Sequence, residues 1–211
     1  MDASWTIALA VKPLAGAKSR LSAQLAAGER GDLVVAMARD VVRAALATAS
    51  VRQVLVVTAD PQVAAALEAE GAAVVREHRV AGLDAAYRLA VDRVGRTPLA
   101  LLMADLPALT PGVLQAALSA VPADQPAVVA DAEGDGTTML AARDARVLVP
   151  RFGPHSRRRH RAGGAVDITA DCSARLRQDV DTWTALAELR AAGEASEHTA
   201  DWFSVRPAGV A

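Results

Sequence analysis

The stretch KPLAGAKSR places three cations, Lys12, Lys18 and Arg20, within nine residues directly after an apolar run. Cationic side chains and free backbone N–H groups in such a loop can hold a polyphosphate; the competing reading is a solvated loop whose charges face water. Neither GxxxxGK[ST] nor GxGxxG occurs, which removes the main support for a P-loop ATPase or a Rossmann dehydrogenase. A lone carboxylate, Asp105, ends the apolar run of LALLMADLP, where a rigid strand end can present it to a hard cation such as Mg²⁺. The alternative is a turn or helix-capping aspartate before Pro107. In RQDVDT, Asp179 and Asp181 alternate, so an extended backbone puts both carboxylates on one side. Capping of a helix that starts near Thr182 accounts for one of them, most simply Asp181, and leaves Asp179 as the second metal candidate.

The densest basic patch is FGPHSRRRHR, residues 152–161. Ser156 and the backbone of Gly153 can grip a phosphate or carboxylate there, with the arginines supplying field. An exposed helix face and an RNA-contacting patch are the alternatives, and the lack of interleaved aromatics weakens the second. Asp135-Gly136-Thr137-Thr138 reads either as an anion-contacting turn or as a plain hairpin with strand-favouring threonines. His78, His155, His160 and His198 show neither HxxxH nor HExxH spacing, so a zinc site is not expected, and no GxSxG marks a nucleophilic serine.

These residues need a scaffold, and the hydrophobic pattern describes one. WTIALAV (5–11), VLVVT (54–58), AAVV (72–75) and LALLMA (99–104) are short apolar runs of the kind buried on both sheet faces. Between them lie an amphipathic helix from about Glu29 to Thr48, a helix after Asp60-Pro61 and a helix after Gly82; another follows Thr110-Pro111. That alternation implies βαβ crossovers, a mostly parallel sheet with helices on both faces, and chemistry in the loops after Val11, Thr58 and Ala104. Beyond residue 125 the rhythm changes. AVVADA (127–132) and TTMLAAR (137–143) suggest a hairpin, and thus a mixed sheet, and the last expected helix, about 182–192, precedes a tail expected to be mobile.

At 211 residues and 52% hydrophobic content the chain suits one domain with a core over about 5–192. A formal net charge of -1 gives no global field for nucleic acid or membrane, so neither is an expected partner. One cysteine, Cys172, excludes an intramolecular disulfide and suits a cytoplasmic setting, and the N-terminal apolar run is too short for a leader or a membrane span. No feature of the sequence sets an oligomeric state.

Five ordered segments carry a resemblance: AVKPLAGAKSRL, GLDAA (82–86), ADLPAL (104–109), FGPHSRRRHRAGGAV (152–166) and LRQDVDT (176–182). Together they resemble the CofC/FbiD family of 2-phospho-L-lactate or phosphoenolpyruvate guanylyltransferases, within the nucleotidyltransferase fold related to GT-A glycosyltransferases. The resemblance implies transfer of GMP from GTP to a small phosphorylated acid, with Mg²⁺, in biosynthesis of coenzyme F-420. It implies Asp105 and Asp179 as metal ligands, Thr138, Gly153 and Ser156 as contacts to the acid, and Lys12, Lys18 and Arg20 as the loop that meets the nucleotide phosphates. Gly82 and Asp84 fall near the nucleotide, although many members carry Asn at the position of Asp84. The rival readings are a molybdenum-cofactor-type nucleotidyltransferase, a GT-A glycosyltransferase, or a nucleotide-binding module without catalysis. The basic 152–161 segment stands against the first two, and the pair of metal-type aspartates stands against the third.

Overall fold

The computed structural model describes residues 4–77 and 80–206, so His78 lies outside it. The strands are β1 (Trp5–Ala10), β2 (Val51–Thr58), β3 (Ala73–Arg76), β4 (Leu99–Leu102), β5 (Ala127–Val129), β6 (Met139–Ala142) and β7 (Val166–Asp167). They form one sheet in the order β3-β2-β1-β4-β6-β5-β7. β1, β2, β3 and β4 are mutually parallel, whereas β6 runs antiparallel to both β4 and β5. The expected hairpin of 127–143 therefore exists and makes the sheet mixed.

Side chains alternate across the strands, and each face buries its own layer. On one face Ile7, Leu9 and Val11 pack against α1 (Ala27–Leu46), α2 (Pro61–Ala69) and α4 (Pro111–Ser119), through Val41, Val42, Val63, Leu67, Leu114 and Leu118. On the other face Ala8, Leu55 and Val57 meet Ala86, Tyr87 and Ala90 of α3 (Leu83–Val94). Two helix starts follow their local chemistry: Asp60 accepts from the N–H groups of Gln62 and Val63, Thr110 accepts from Val113 N–H, and a proline sits at the first helical position of each.

β1 lies between β2 and β4, and its pairing runs from Thr6↔Leu99 to Leu9↔Leu102, so both strands end at the same level. Successive crossovers go to opposite sides of β1, which opens a crevice beyond the carboxyl ends of β1 and β4. Lys12 and Asp105 follow those two ends.

Beyond residue 192, where the sequence suggests a mobile tail, the described residues include a further packed helix. After α6 (Trp183–Ala192), helix α7 (Glu197–Ser204) docks on α1, burying Trp202 and Phe203 in a third cluster with Leu21, Leu33, Met37, Val180 and Leu186. Asp40, inside α1, accepts from the N–H groups of His198 and Thr199, each at 2.9 Å, and so caps a helix 158 residues further along the chain. No local reading of the tail reveals that partner. Asp40→Ala leaves two N–H groups unsatisfied against the core and should cost about 2–3 kcal/mol, or roughly 5–10 °C in Tm. Thermal denaturation checks this; an unchanged Tm would mean that the two capping bonds from Asp40 contribute nothing measurable to stability.

Candidate active site

The loop from Lys12 to Arg20 is gripped from two sides. The Asp60 carboxylate that caps α2 also accepts from Leu14 N–H at 2.9 Å, while Arg30 of α1 donates to the carbonyls of Ala17 (3.1 Å) and Leu25 (2.7 Å). Those backbone bonds hold the Asp60 carboxyl below its usual range although burial opposes them. The loop after Thr58 thus acts as a brace for the cation loop. Within that loop Lys18 adopts a left-handed conformation, φ 48°, which turns its side chain inward. Lys12, Lys18, Arg20 and Asp105 line one cleft of about 410 Å³, together with Asp181 and the backbone around Gly16.

One carboxylate oxygen each of Asp105, Asp179 and Asp181 lies within 4.8 Å of the others, and of the three residues Asp105 and Asp181 line the cleft while Asp179 stands behind them. The peptide chain enforces this, since Val180 N–H donates to the Asp105 carbonyl at 3.1 Å and pins the 179–181 segment against the end of β4. The assignment of Asp181 to helix capping is corrected. The hydroxyl of Thr182 caps α6 by accepting from Ala185 N–H at 3.2 Å, and Asp181, one residue earlier, turns into the cleft. Its same-side relation to Asp179 was the available signal.

The Lys18 ammonium sits between Asp105 (2.5 Å) and Asp181 (2.6 Å), and Arg20 approaches Asp181 at 3.8 Å. Burial alone would lower the Lys18 pKa, but the two carboxylates outweigh it and raise it. Among the described residues Asp179 has no such partner. Burial, then the charges of Asp105 and Asp181, push its carboxyl up to about 7. An all-oxygen set of three carboxylates suits a hard divalent cation, and Asp105 Oδ1 is a buried acceptor with no hydrogen-bond partner among the described residues. The residues fit the metal that the sequence implies.

The remaining candidates stand beside the cleft rather than in its lining. Gly82, at φ +96°, borders a shallow hollow with Lys12, Val57 and Leu83 that adjoins the cleft. Asp84 instead accepts from Phe152 N–H at 2.7 Å, so its carboxylate anchors the 152–156 segment. The Phe152 ring lies 4.6 Å from that of Tyr87, whose hydroxyl donates to the Leu102 carbonyl at the end of β4. Thr138 is buried one strand over, and its carbonyl accepts from Met103 N–H at 2.9 Å, Met103 itself being part of the cleft lining. Gly153 opens a turn at φ +99°, and Ser156 is buried at the start of α5 (Ser156–Ala162). Part of the basic patch is thus a short helix with specific bonds. His160 Nε2 accepts from Arg151 N–H, which leaves Nδ1 to donate to the Thr137 hydroxyl at 3.0 Å. Burial, reinforced by Arg159 and Arg151, lowers its pKa to about 4, so the ring is a neutral brace.

A sequence model described as "Guanylyl transferase CofC like" matches residues 5–202. A phosphoenolpyruvate guanylyltransferase of Streptomyces scabiei is 48% identical over 196 residues, covering 89% of each chain. One from Streptomyces avermitilis is 47% identical over 192 residues, covering 89% of this chain and 88% of the relative. Among solved structures, a nucleotidyl transferase from Methanothermobacter thermautotroptrophicus superposes with a TM-score of 0.66 at 21% identity, covering 90% of this chain and 97% of that one. The likeness of fold carries no substrate with it, but the extent of the sequence match does carry membership. The chain belongs to the CofC-like guanylyl transferase family and is a nucleotidyltransferase.

Proposed function

We propose that the protein transfers GMP from GTP to phosphoenolpyruvate, or to the closely similar 2-phospho-L-lactate, releasing pyrophosphate, and that it serves coenzyme F-420 biosynthesis from the cytoplasm. The observation that carries this reading is one cleft beyond β1 and β4 lined by three cations and by Asp105 and Asp181, with a carboxylate oxygen of Asp179 within 4.8 Å of theirs. Among the described residues no helix is long and apolar enough to cross a membrane.

In the reaction so read, a phosphate oxygen of the acid attacks the α-phosphorus of GTP and pyrophosphate leaves. No general base is needed, because a phosphate monoester with a second pKa near 6 is already largely ionised at neutral pH. The demand on the protein is alignment of two polyanions that repel each other. Asp105, Asp179 and Asp181 would hold Mg²⁺, which when bound supplies charge compensation to the phosphates. Lys18, poised beside Asp105, and Lys12 and Arg20 at the rim would take up charge on the leaving pyrophosphate. Gly82 would border the nucleoside, and Thr138, Gly153 and Ser156 would grip the acid. Asp84 supports that grip through Phe152.

Asp179 offers a test that separates ligand from scaffold. Its folded pKa lies above the usual carboxylate value, so the fold binds this proton more tightly than the unfolded chain does, and stability is lost as pH rises from about 4 through about 7. In chelator-treated protein, Asp179→Asn and wild type should melt together near pH 4, with the variant about 3–6 °C higher at pH 8. The same variant should lose at least roughly tenfold in turnover. A variant that melts lower at pH 8 would make Asp179 a structural carboxylate. The activity is tested by pyrophosphate release from GTP with Mg²⁺ and phosphoenolpyruvate, 2-phospho-L-lactate or 3-phosphoglycerate in turn. Turnover with phosphoenolpyruvate is expected, and Ser156→Ala should cost roughly ten- to 150-fold in kcat/KM for the acid with the KM for GTP unchanged. Release with none of the three acids would refute the proposed reaction.

A further inference from the structure

The turn that carries Gly153 and Ser156 is held in place by a residue that the chemistry above does not use. Two positions in it have positive φ, Gly153 at 99° and His155 at 57°. Glycine adopts such angles freely, whereas a side-chain-bearing residue needs something to hold it there. For His155 the holder is Asp135. One carboxylate oxygen accepts from His155 N–H at 3.0 Å, the other pairs with the His155 ring Nδ1 at 2.8 Å, and the Asp135 carbonyl accepts from Arg157 N–H at 3.1 Å. Asp135 is itself placed by Asp131, whose carboxylate accepts from the N–H groups of Asp135 (3.0 Å) and Gly136 (2.8 Å). A Cβ at Gly136 would stand 2.2 Å from Asp131 Oδ2, so any side chain there would displace the carboxylate that places Asp135.

The Asp135 and His155 side chains are 54% and 75% exposed, which makes the pair a weak contributor to global stability. Its effect is local: it selects one backbone conformation for a turn whose next residue, Ser156, is buried. The same hairpin turn that carries Asp135 leads into Thr138, so one clamp ties together both segments read as acid-binding.

We propose that Asp135 is a positioning residue for the acceptor acid, holding His155 left-handed so that Gly153 and Ser156 face the phosphorylated acid in one fixed arrangement. This rests on the acid-binding reading of Gly153 and Ser156. The test uses the full-length enzyme with GTP, Mg²⁺ and phosphoenolpyruvate, comparing Asp135→Ala, Ser156→Ala and the double variant Asp135→Ala/His155→Gly. Asp135→Ala should raise the KM for the acid roughly five- to thirtyfold, the population factor of an unheld left-handed residue, while the KM for GTP stays the same and Tm within about 2 °C. Adding His155→Gly should recover most of that loss, because glycine reaches the same angles without the clamp. If Ser156→Ala raises the KM for the acid and Asp135→Ala does not, the positioning role is wrong and the acid site stands. If both are silent, the acid site fails and the proposal with it. A fall in Tm with both KM values raised, unrelieved by glycine, would make Asp135 a structural residue and also overturn the proposal.

Discussion

Three carboxylates within 4.8 Å of one another in a half-buried cleft repel strongly, and much of the architecture serves to hold them there. At that separation and an effective dielectric near 20, each like-charged pair costs roughly 3 kcal/mol. Lys18 offsets part of this by standing between Asp105 and Asp181, and burial together with those two charges pushes the Asp179 carboxyl up to about 7. No such cluster persists unless the backbone imposes it. Here β4 presents Asp105, and the bond from Val180 N–H to the Asp105 carbonyl fixes the other two.

Other features follow from that requirement. The third apolar cluster, in which Leu21 and Val180 meet α1, α6 and α7, lies under the two chain segments that carry Lys18 and the Asp179–Asp181 pair. Asp40 fastens α7 from inside α1, so the C-terminal helix is part of the platform beneath the site. On the opposite side of the sheet, Tyr87, Phe152 and the neutral His160 form a chain of ring contacts that joins the end of β4 to α5. Rigid supports on both faces leave the cleft open along the switch between β1 and β4, where oppositely directed crossovers leave room for a ligand.

The parallel core of the sheet was legible because buried strands read as short apolar runs, α1 shows amphipathic spacing and α2 carries an Asp-Pro start. The hairpin was legible from the turn chemistry around Asp135-Gly136. What escaped was non-local. Asp181 looked like a helix cap because local spacing cannot tell it from Thr182, and the decisive bond, Val180 to Asp105, joins residues far apart in the sequence. The tail looked mobile because its partner, Asp40, is distant in sequence. Asp84 was placed near the nucleotide, while its carboxylate is spent on Phe152 N–H. The cation-rich loop after β1, the carboxylate of Asp105 beyond an apolar run and the alternation of Asp179 with Asp181 are local patterns, which is information that a sequence does contain.

On this reading Asp105 and its two neighbours form a divalent cation site that acts together with the nucleotide. Titration of Mn²⁺ into the protein with GTP present, followed by electron paramagnetic resonance, measures it directly. Saturable binding is expected of the wild-type chain, and binding weaker by roughly tenfold or more of Asp105→Asn, which should still unfold in one cooperative transition. Equal Mn²⁺ affinity in the two proteins would contradict it.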